Sequence, residues 1–477
     1  MSVPYRIESP SSNAVGDKIP ASERIPIIAR PFVSDRAKKT LDIVEKFVEE
    51  ECIPADAVYQ AQIGDTVKER FDAHPQIVED LKKRARELGL WNMFLPANHF
   101  KEGAGFSNLE YGLMAECLGK SVIASEATNC AAPDTGNMEV LAKYGTQKQK
   151  DRWLKPLLEG KIRSAFLMTE PEVASSDATN ISLSMRREGN EYVLNGSKWW
   201  SSGTGDRRCE IYIVMAKSDP SNTNPYKQQS VVFVPFDTPG ITIKRMLSVF
   251  GFDHAPHGHG HVTFENVRVP VENICLGEGR GFEVIQGRLG PGRIHHAMRS
   301  IGAAEKALEW FIARINDPRK TPFGQMLHKH GIMLERVARS RMEIDAARLQ
   351  VLNAAIMIDS KDAKFALKEI AEAKVLIPQV LMDVLDRAIQ SYGGAGISQE
   401  TPLASMWANG RTMRIVDGPD EVHLLQLGRN ENKRGPAMLE RIAWQKAKSA
   451  EMAKAYGVEI KDVLQLDRLS TSNKSRL

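Results

Sequence analysis

Two short segments and one carboxylate carry the residue types that could do chemistry. The first segment, Phe166-Leu167-Met168-Thr169-Glu170-Pro171-Glu172-Val173-Ala174-Ser175-Ser176-Asp177, opens on an aromatic residue and then supplies hydroxyls, small residues and acids. The second, Asn195-Gly196-Ser197-Lys198-Trp199-Trp200-Ser201-Ser202-Gly203, sets two tryptophans and two serines after an Asn-Gly pair that reads as a turn. A flat aromatic ligand needs an apolar wall, donors for its polar edge and a close backbone approach, and the two segments hold residue types suited to all three. The carboxylate is Asp417, in Arg414-Ile415-Val416-Asp417-Gly418-Pro419-Asp420-Glu421-Val422-His423. A carboxylate held against a C–H or O–H group can act as a general base. Each feature also has a plainer reading. Trp199-Trp200 suits core packing in a strand, Thr169-Glu170-Pro171 suits a strand ending in a turn, and Asp before Gly-Pro and two acids suits a helix cap.

Correctly ordered and about 30 residues apart, the two segments resemble the flavin-binding signature of the acyl-CoA dehydrogenases. The resemblance implies FAD as cofactor and an acyl-CoA thioester as substrate, desaturated between its α and β carbons to a trans-2-enoyl-CoA. It implies that Phe166, Met168, Thr169 and Ser175 line or hydrogen-bond the flavin, and that Ser176 lies by the CoA arm. Trp200 and Ser202 match a Trp-x-Thr pair on the ring, with Ser in place of the usual Thr. Gln390-Ser391-Tyr392-Gly393-Gly394-Ala395-Gly396 is similar to the family's Gln-x-x-Gly-Gly-x-Gly turn, which makes Gln390 and Gly394 contacts to a neighbouring subunit's FAD. Alone, that turn reads as an ordinary helix C-cap. Arg319-Lys320-Thr321-Pro322-Phe323-Gly324 resembles an Arg-x-x-Phe-Gly element with one residue inserted, so either Arg319 or Lys320 reaches that FAD, with Arg319 preferred.

Asp417 occupies the base position, where most of the family carries the longer Glu. The surrounding pattern resembles the branch containing the animal kinase-fused acyl-CoA dehydrogenases and their bacterial and fungal relatives. By position Gly418 would touch substrate, while Pro419, Asp420 and Glu421 would lie against FAD. Some members carry the base on an earlier helix. The matching stretch here, Gly290-Pro291-Gly292-Arg293, has no acid, which makes Gly290 and Arg293 substrate contacts, with Arg293 near the CoA moiety. The expected electron acceptor is an electron-transfer flavoprotein or O₂. The rival readings are an acyl-CoA oxidase and a non-catalytic acyl-CoA-binding protein of the same fold.

Positioning these residues requires helices around a β-rich middle. Residues 1–33 read as a polar arm rich in Pro, Ser and Gly. Helical spacing dominates 34–163, with Ser34 capping a segment whose apolar residues are Leu41, Ile43, Val44, Phe47 and Val48, and further helices at 75–88, 108–119, 137–144 and 147–158. The period shortens in 164–275, where Gly189-Asn190 and Asn195-Gly196 read as turns between strands, giving a small barrel or sandwich. Helical spacing returns in 276–445, at 297–315, 333–357, 363–392 and 421–429, a bundle-like unit. Residues 446–477 read as a charged tail. The fold class is α+β, and the order of helical, β and helical domains is itself that of the resembled family.

At 477 residues the chain exceeds one typical core. Its formal net charge of +4 is small and its Lys and Arg are scattered, which argues against nucleic acid. Five cysteines without a CxxC pair suit free thiols in a reducing compartment. No apolar run reaches the roughly 18 residues of a membrane span, and the N-terminus has no apolar signal core. The terminal Ser475-Arg476-Leu477 is a conservative variant of the Ser-Lys-Leu peroxisomal address, so peroxisomal residence and an import receptor are expected. His254, His257, His259 and His261 cluster, but Gly and Pro dominate that loop without an interleaved Cys, and no metal is expected. The resemblance further implies a homodimer or homotetramer.

Overall fold

A computed structural model of the chain describes residues 19–361 and 365–460, apart from the side chains at 288–291. Most of the N-terminal arm, Gly290 and the Ser475-Arg476-Leu477 tripeptide therefore lie outside the described residues. The chain divides into two units, Met1–His423 and Leu424–Leu477.

Helix α1 (Asp35–Phe47) starts where expected because Ser34 Oγ accepts a hydrogen bond from the Ala37 amide at 3.2 Å. It buries Leu41, Val44 and Phe47, whereas Ile43 stays exposed on the far side. Helices α2 (Ile53–Ile63), α3 (Val67–Asp72), α4 (Gln76–Glu87), α5 (Asn108–Leu118), α6 (Ala124–Ala127) and α7 (Asp134–Tyr144) follow. The single helix expected at 147–158 is interrupted: α8 (Gln147–Gln149) and α9 (Lys155–Leu158) flank a π turn at Lys150–Leu154. A second π turn, Val48–Cys52, joins α1 to α2. Each π turn ends two residues before a proline, Pro54 or Pro156. A proline ring collides with the carbonyl four residues back and offers no N–H, so widening the preceding turn lets the helix continue past it.

The middle strands are β1 (Arg163–Leu167), β2 (Ser184–Glu188), β3 (Glu191–Ser202), β4 (Cys209–Lys217), β5 (Gln229–Pro235), β6 (Ile241–Leu247), β7 (His259–Pro270) and β8 (Ile274–Cys275). They form one eight-stranded sheet in the order β6-β7-β3-β2-β4-β5-β8, with β1 paired parallel to β4. The Gly189-Asn190 turn joins β2 to β3. Asn195-Gly196 does not turn the chain; it lies inside β3, opposite a bulge in β7 where Glu265 and Asn266 stand across from Asn195. There Gly196 takes φ 143°, and the Asn195 side chain accepts from the Asn266 amide at 2.8 Å. A partner strand as long as β3 continues across the bulge, so the local turn preference is overridden. β4 is buried on both faces. Tyr212, Val214 and Ala216 enter the β core, while Ile211, Ile213 and Met215 join the helical core, which accounts for its unbroken apolar run.

The last helices of the first unit are α10 (Gly281–Ile315), α11 (Gly331–Ser360), α12 (Leu367–Tyr392) and α13 (Leu403–Thr412), followed by the start of α14 (Asp420–Asn432). The bundle is completed by α5, which packs against both α10 and α11. Sequence spacing passes over α13, a short helix whose Gly410 reads as a breaker. The second unit holds the rest of α14 and α15 (Gly435–Ala455), a helix with no buried residue that runs through position 446, where a tail was expected to begin.

Helices α5 and α10 meet backbone to backbone. A Cβ on Gly302 would lie 1.8 Å from the Glu116 carbonyl oxygen, and one on Gly119 2.1 Å from that of Arg299. Gly302→Ala should therefore lower unfolding stability by roughly 1–3 kcal/mol in urea titration. Gly428→Ala, with nothing within 4 Å of the added methyl, should leave it unchanged or slightly raised.

Candidate active site

The predicted residues fall into two groups and a remainder. The first group sits on β1, β3 and the loop between β1 and β2. Ala165 and Leu167 of β1 face the β core, whereas Phe166 and the adjoining Met168 are half-buried toward the helical core. The Trp199 amide donates to the Thr169 carbonyl at 2.9 Å, which brings the two signature segments together. Beneath them Lys198 and Glu170 form a buried ion pair at 2.7 Å. Lys198 Nζ also donates to the Met168 carbonyl, and Glu170 accepts from the Ser182 and Leu183 amides at 2.8 and 2.9 Å. Burial alone would raise the Glu170 carboxyl, but Lys198 and these donors hold it below the usual range. Ser175 Oγ accepts from the Glu170 amide at 2.9 Å, closing the loop, and Ser176 is exposed on it.

A second irregularity in the β3–β7 pairing, between Lys198 and Ser201, turns Trp200 to φ 50°. A tryptophan rarely occupies that left-handed region. Here the bulge presents the residue, which remains 40% exposed. Ser202 Oγ lies 2.8 Å from His259 Nδ1, and His259 Nε2 lies 2.8 Å from His254 Nδ1. The arrangement suits a flat aromatic ligand: an open indole face, the half-buried Phe166, Met168 and Thr169, and a hydroxyl whose direction is set by a histidine.

The second group surrounds Asp417. Its φ of 57° and the 102° of Gly418 put a sharp reversal before α14, one that Asp and Gly tolerate. Because α14 begins at Asp420, Asp417 is too early to be its cap. Arg293 on α10 donates to the Asp417 carbonyl through Nε and Nη2 at 3.2 and 3.1 Å, and His423 Nε2 lies 3.4 Å from the same oxygen. Lys374 on α12 donates to the carbonyls of Met413 and Gly418 at 2.5 and 3.2 Å. Burial lowers Lys374 to about 8, opposed by Asp417 and Asp420. Asp420 is buried and paired to Arg414 at 2.6 Å, Pro419 is half-buried and Glu421 exposed.

The remainder joins neither group in this chain. Arg319 is largely exposed and pairs with Asp317 at 2.9 Å. Gln390 and Gly394 are exposed at the end of α12 and just beyond, where a Cβ on Gly394 would meet nothing. Sequence reading assigned no site role to Lys374, His296, His259 or the Lys198–Glu170 pair. Lys374 had a signal, as a lone cation on the apolar face made by Ile370, Ala373 and Ile377. The clustered histidines instead serve Ser202, Ser197 and the Glu126–Asp206 pair.

Burial, with His254 and His257 nearby, lowers His259 from 6.5 to about 4. The unfolded chain takes up a proton near 6.5 that the folded chain refuses until about 4. Stability is thus complete above that window and is lost as pH falls through it. The urea midpoint should fall between pH 6.5 and 4.5, and His259→Phe should make that fall shallower.

The sequence matches the models of all three acyl-CoA dehydrogenase domains: the N-terminal domain at 34–161, the middle domain at 165–267 and the C-terminal domain at 279–431. Acyl-CoA dehydrogenase family member 11 of Gallus gallus is 51% identical over 404 residues, 84% of this chain and 51% of that protein. This chain thus spans about half the length of that relative. The probable acyl-CoA dehydrogenase FadE2 of Mycobacterium tuberculosis is 51% identical over 361 residues, 76% of this chain and 86% of that one. A solved acyl-CoA dehydrogenase structure from Mycobacterium abscessus superposes with a TM-score of 0.80 at 47% identity, covering 84% of this chain and 99% of the other. The chain therefore belongs to the acyl-CoA dehydrogenase family, flavin-dependent oxidoreductases whose cofactor is FAD.

Proposed function

We propose that this chain desaturates a fatty acyl-CoA to its trans-2-enoyl-CoA, as in fatty acid β-oxidation, with Asp417 removing the α-proton. The observation that carries the reading is the anchoring of the Asp417 loop. Arg293 and His423 bond the Asp417 carbonyl, and Lys374 bonds Met413 and Gly418. Aspartate is one methylene shorter than glutamate, so its backbone must be held close to the substrate for equal proton-transfer geometry. Donors from α10, α12 and α14 provide that hold and act on main-chain oxygens.

Phe166, Met168, Thr169, Ser175, Trp200 and Ser202 are the residues that would hold FAD, and Pro419, Asp420 and Glu421 its further contacts. The bound cofactor supplies the hydride acceptor. Ser176, Gly290, Arg293 and Gly418 are the proposed substrate contacts. Closing an acyl chain over Asp417 would exclude water and make the carboxylate a stronger base. Reoxidation is assigned to an electron-transfer flavoprotein or O₂. Peroxisomal residence is part of the same proposal, with Ser475-Arg476-Leu477 as its support, and deleting Leu477 should disperse a fluorescent fusion.

A second copy of the chain belongs to the same reading, with Arg319, Gln390 and Gly394 facing its FAD. Phe323, four residues from Arg319, is 98% exposed, and Ile397, three from Gly394, is 74% exposed. Apolar side chains so placed favour burial against a partner. Sedimentation should give a dimer or tetramer, and Phe323→Asp should shift the protein toward the monomer.

Anaerobic titration with C4, C8, C16 and C22 acyl-CoAs tests the chemistry. One chain-length class should bleach the flavin band. Asp417→Asn should retain FAD and slow bleaching by roughly 10²–10⁴-fold. Rapid O₂ uptake after reduction would favour the oxidase reading. A yellow wild type that no acyl-CoA bleaches would favour a non-catalytic binding protein.

A further inference from the structure

His296 of α10 stands beside the proposed base and has no role in the reading above. Its Nε2 lies 3.7 Å from Asp417 Oδ2, and its Nδ1 lies 3.2 Å from Arg299 Nη2. A guanidinium only donates, so Nδ1 must accept and carry a lone pair. The ring proton is then on Nε2, and an N–H is what faces the carboxylate. Arg293, His296 and Arg299 follow one another at intervals of three along α10, which lets them share one side of the helix. The first holds the Asp417 carbonyl, the second faces its carboxylate, and the third sets the tautomer of the second. The His296 and Asp417 side chains are only 24% and 18% exposed, so the N–H dipole acts with less screening than in water.

We infer that His296, its tautomer set by Arg299, is a positioning residue for Asp417. It aims the carboxylate and stabilises the ionised form until the α-proton arrives. The inference rests on Asp417 being the base. Among the described residues, the other charged or titratable groups around Asp417 include Arg293 on α10, Lys374 on α12, Arg414 between α13 and α14, and Asp420 and His423 at the start of α14. His295 and Arg299 flank His296. Arg293 and His423 bond the Asp417 carbonyl, Lys374 the carbonyls of Met413 and Gly418, and Arg414 the Asp420 carboxylate.

The test is the pH dependence of anaerobic flavin reduction in the holoenzyme, for wild type, His296→Leu and His296→Gln. Loss of the N–H should move the acidic limb up by about one pH unit in H296L, about tenfold in rate below the limb. The limb should return in H296Q, whose amide N–H can stand where Nε2–H stood. An unchanged limb in H296L overturns the inference, as does an equal shift in both variants. The tautomer is tested without turnover by long-range ¹H–¹⁵N correlation on ¹⁵N-histidine protein. The signal missing from H296Q identifies residue 296; a proton on Nε2 supports the inference and one on Nδ1 overturns it. Full-rate bleaching by Asp417→Asn would instead bring down the base assignment, and the tautomer spectrum would still decide the His296 geometry.

Discussion

Glu126 is the point from which the placement of the β domain follows. Its buried carboxylate meets Arg163 of β1 at 2.8 Å, Arg208 before β4 at 2.9 Å, His257 before β7 at 2.9 Å and Lys82 of α4 at 3.1 Å. Asp134 of α7 completes the set by pairing with Arg163, and Asp206 by pairing with Arg208 and His257. Burial would push the Glu126 carboxyl up, but Arg163, His257 and Lys82 hold it well below its usual range. With Glu79, which also meets Lys82 and Arg208 at 2.7 and 3.2 Å, four carboxylates face Lys82, two arginines and His257. Such a cluster does not by itself add stability, because desolvation of each charge offsets much of the attraction. Its effect is geometric. It admits one arrangement of α4, α6, α7, β1, β4 and β7, since any slip would leave a charge buried alone.

That fixed frame lets the backbone depart from regularity where a side chain must be presented. β3 is pinned along most of its length by β7, and its two irregularities fall at Asn195-Gly196 and at Trp199-Trp200. The first accommodates an extra residue of β7, and the second, an extra residue of β3 itself, turns Trp200 outward. A left-handed tryptophan costs on the order of 1–3 kcal/mol and persists only where its surroundings over-determine it. The Trp199 amide bond to Thr169 and the Lys198–Glu170 pair supply that constraint from the two preceding residues. Asp417 repeats the arrangement in the helical part, as another left-handed residue held through the main chain by side chains from neighbouring helices.

Much of this was legible in the sequence, for identifiable reasons. Helices α1 and α4 announced themselves by an apolar face of period 3.6 beginning beside a capping residue or a proline. β4 and β5 read as buried strands from their unbroken apolar runs. The failures are also physical. Asn195-Gly196 is a strong local turn signal that a long partner strand overrides, and no local pattern reports that partner. Pro156 signals a break, but not that a π turn carries the helix around it. At the site, Asp417 could be singled out only by resemblance, because its spacing equally suits a cap. Lys374, His296 and Glu170 contribute through partners 43, 121 and 28 positions away, Asp417 in the first two cases and Lys198 in the third. Period and propensity do not reach that far.

The proposed shorter base and its anchors form one design. A glutamate could reach substrate from a loosely held loop by rotating an extra bond, whereas an aspartate transmits any backbone displacement directly to its carboxylate. Lys374 is suited to such a loop. Burial brings it to about 8, so it can lose its proton under mildly alkaline conditions. Its two acceptors are neutral carbonyls, and a neutral amine still has two N–H groups to give them. The hold on Met413 and Gly418 therefore depends on the position of the nitrogen rather than on its charge, and it survives a proton loss that would dissolve an ion pair.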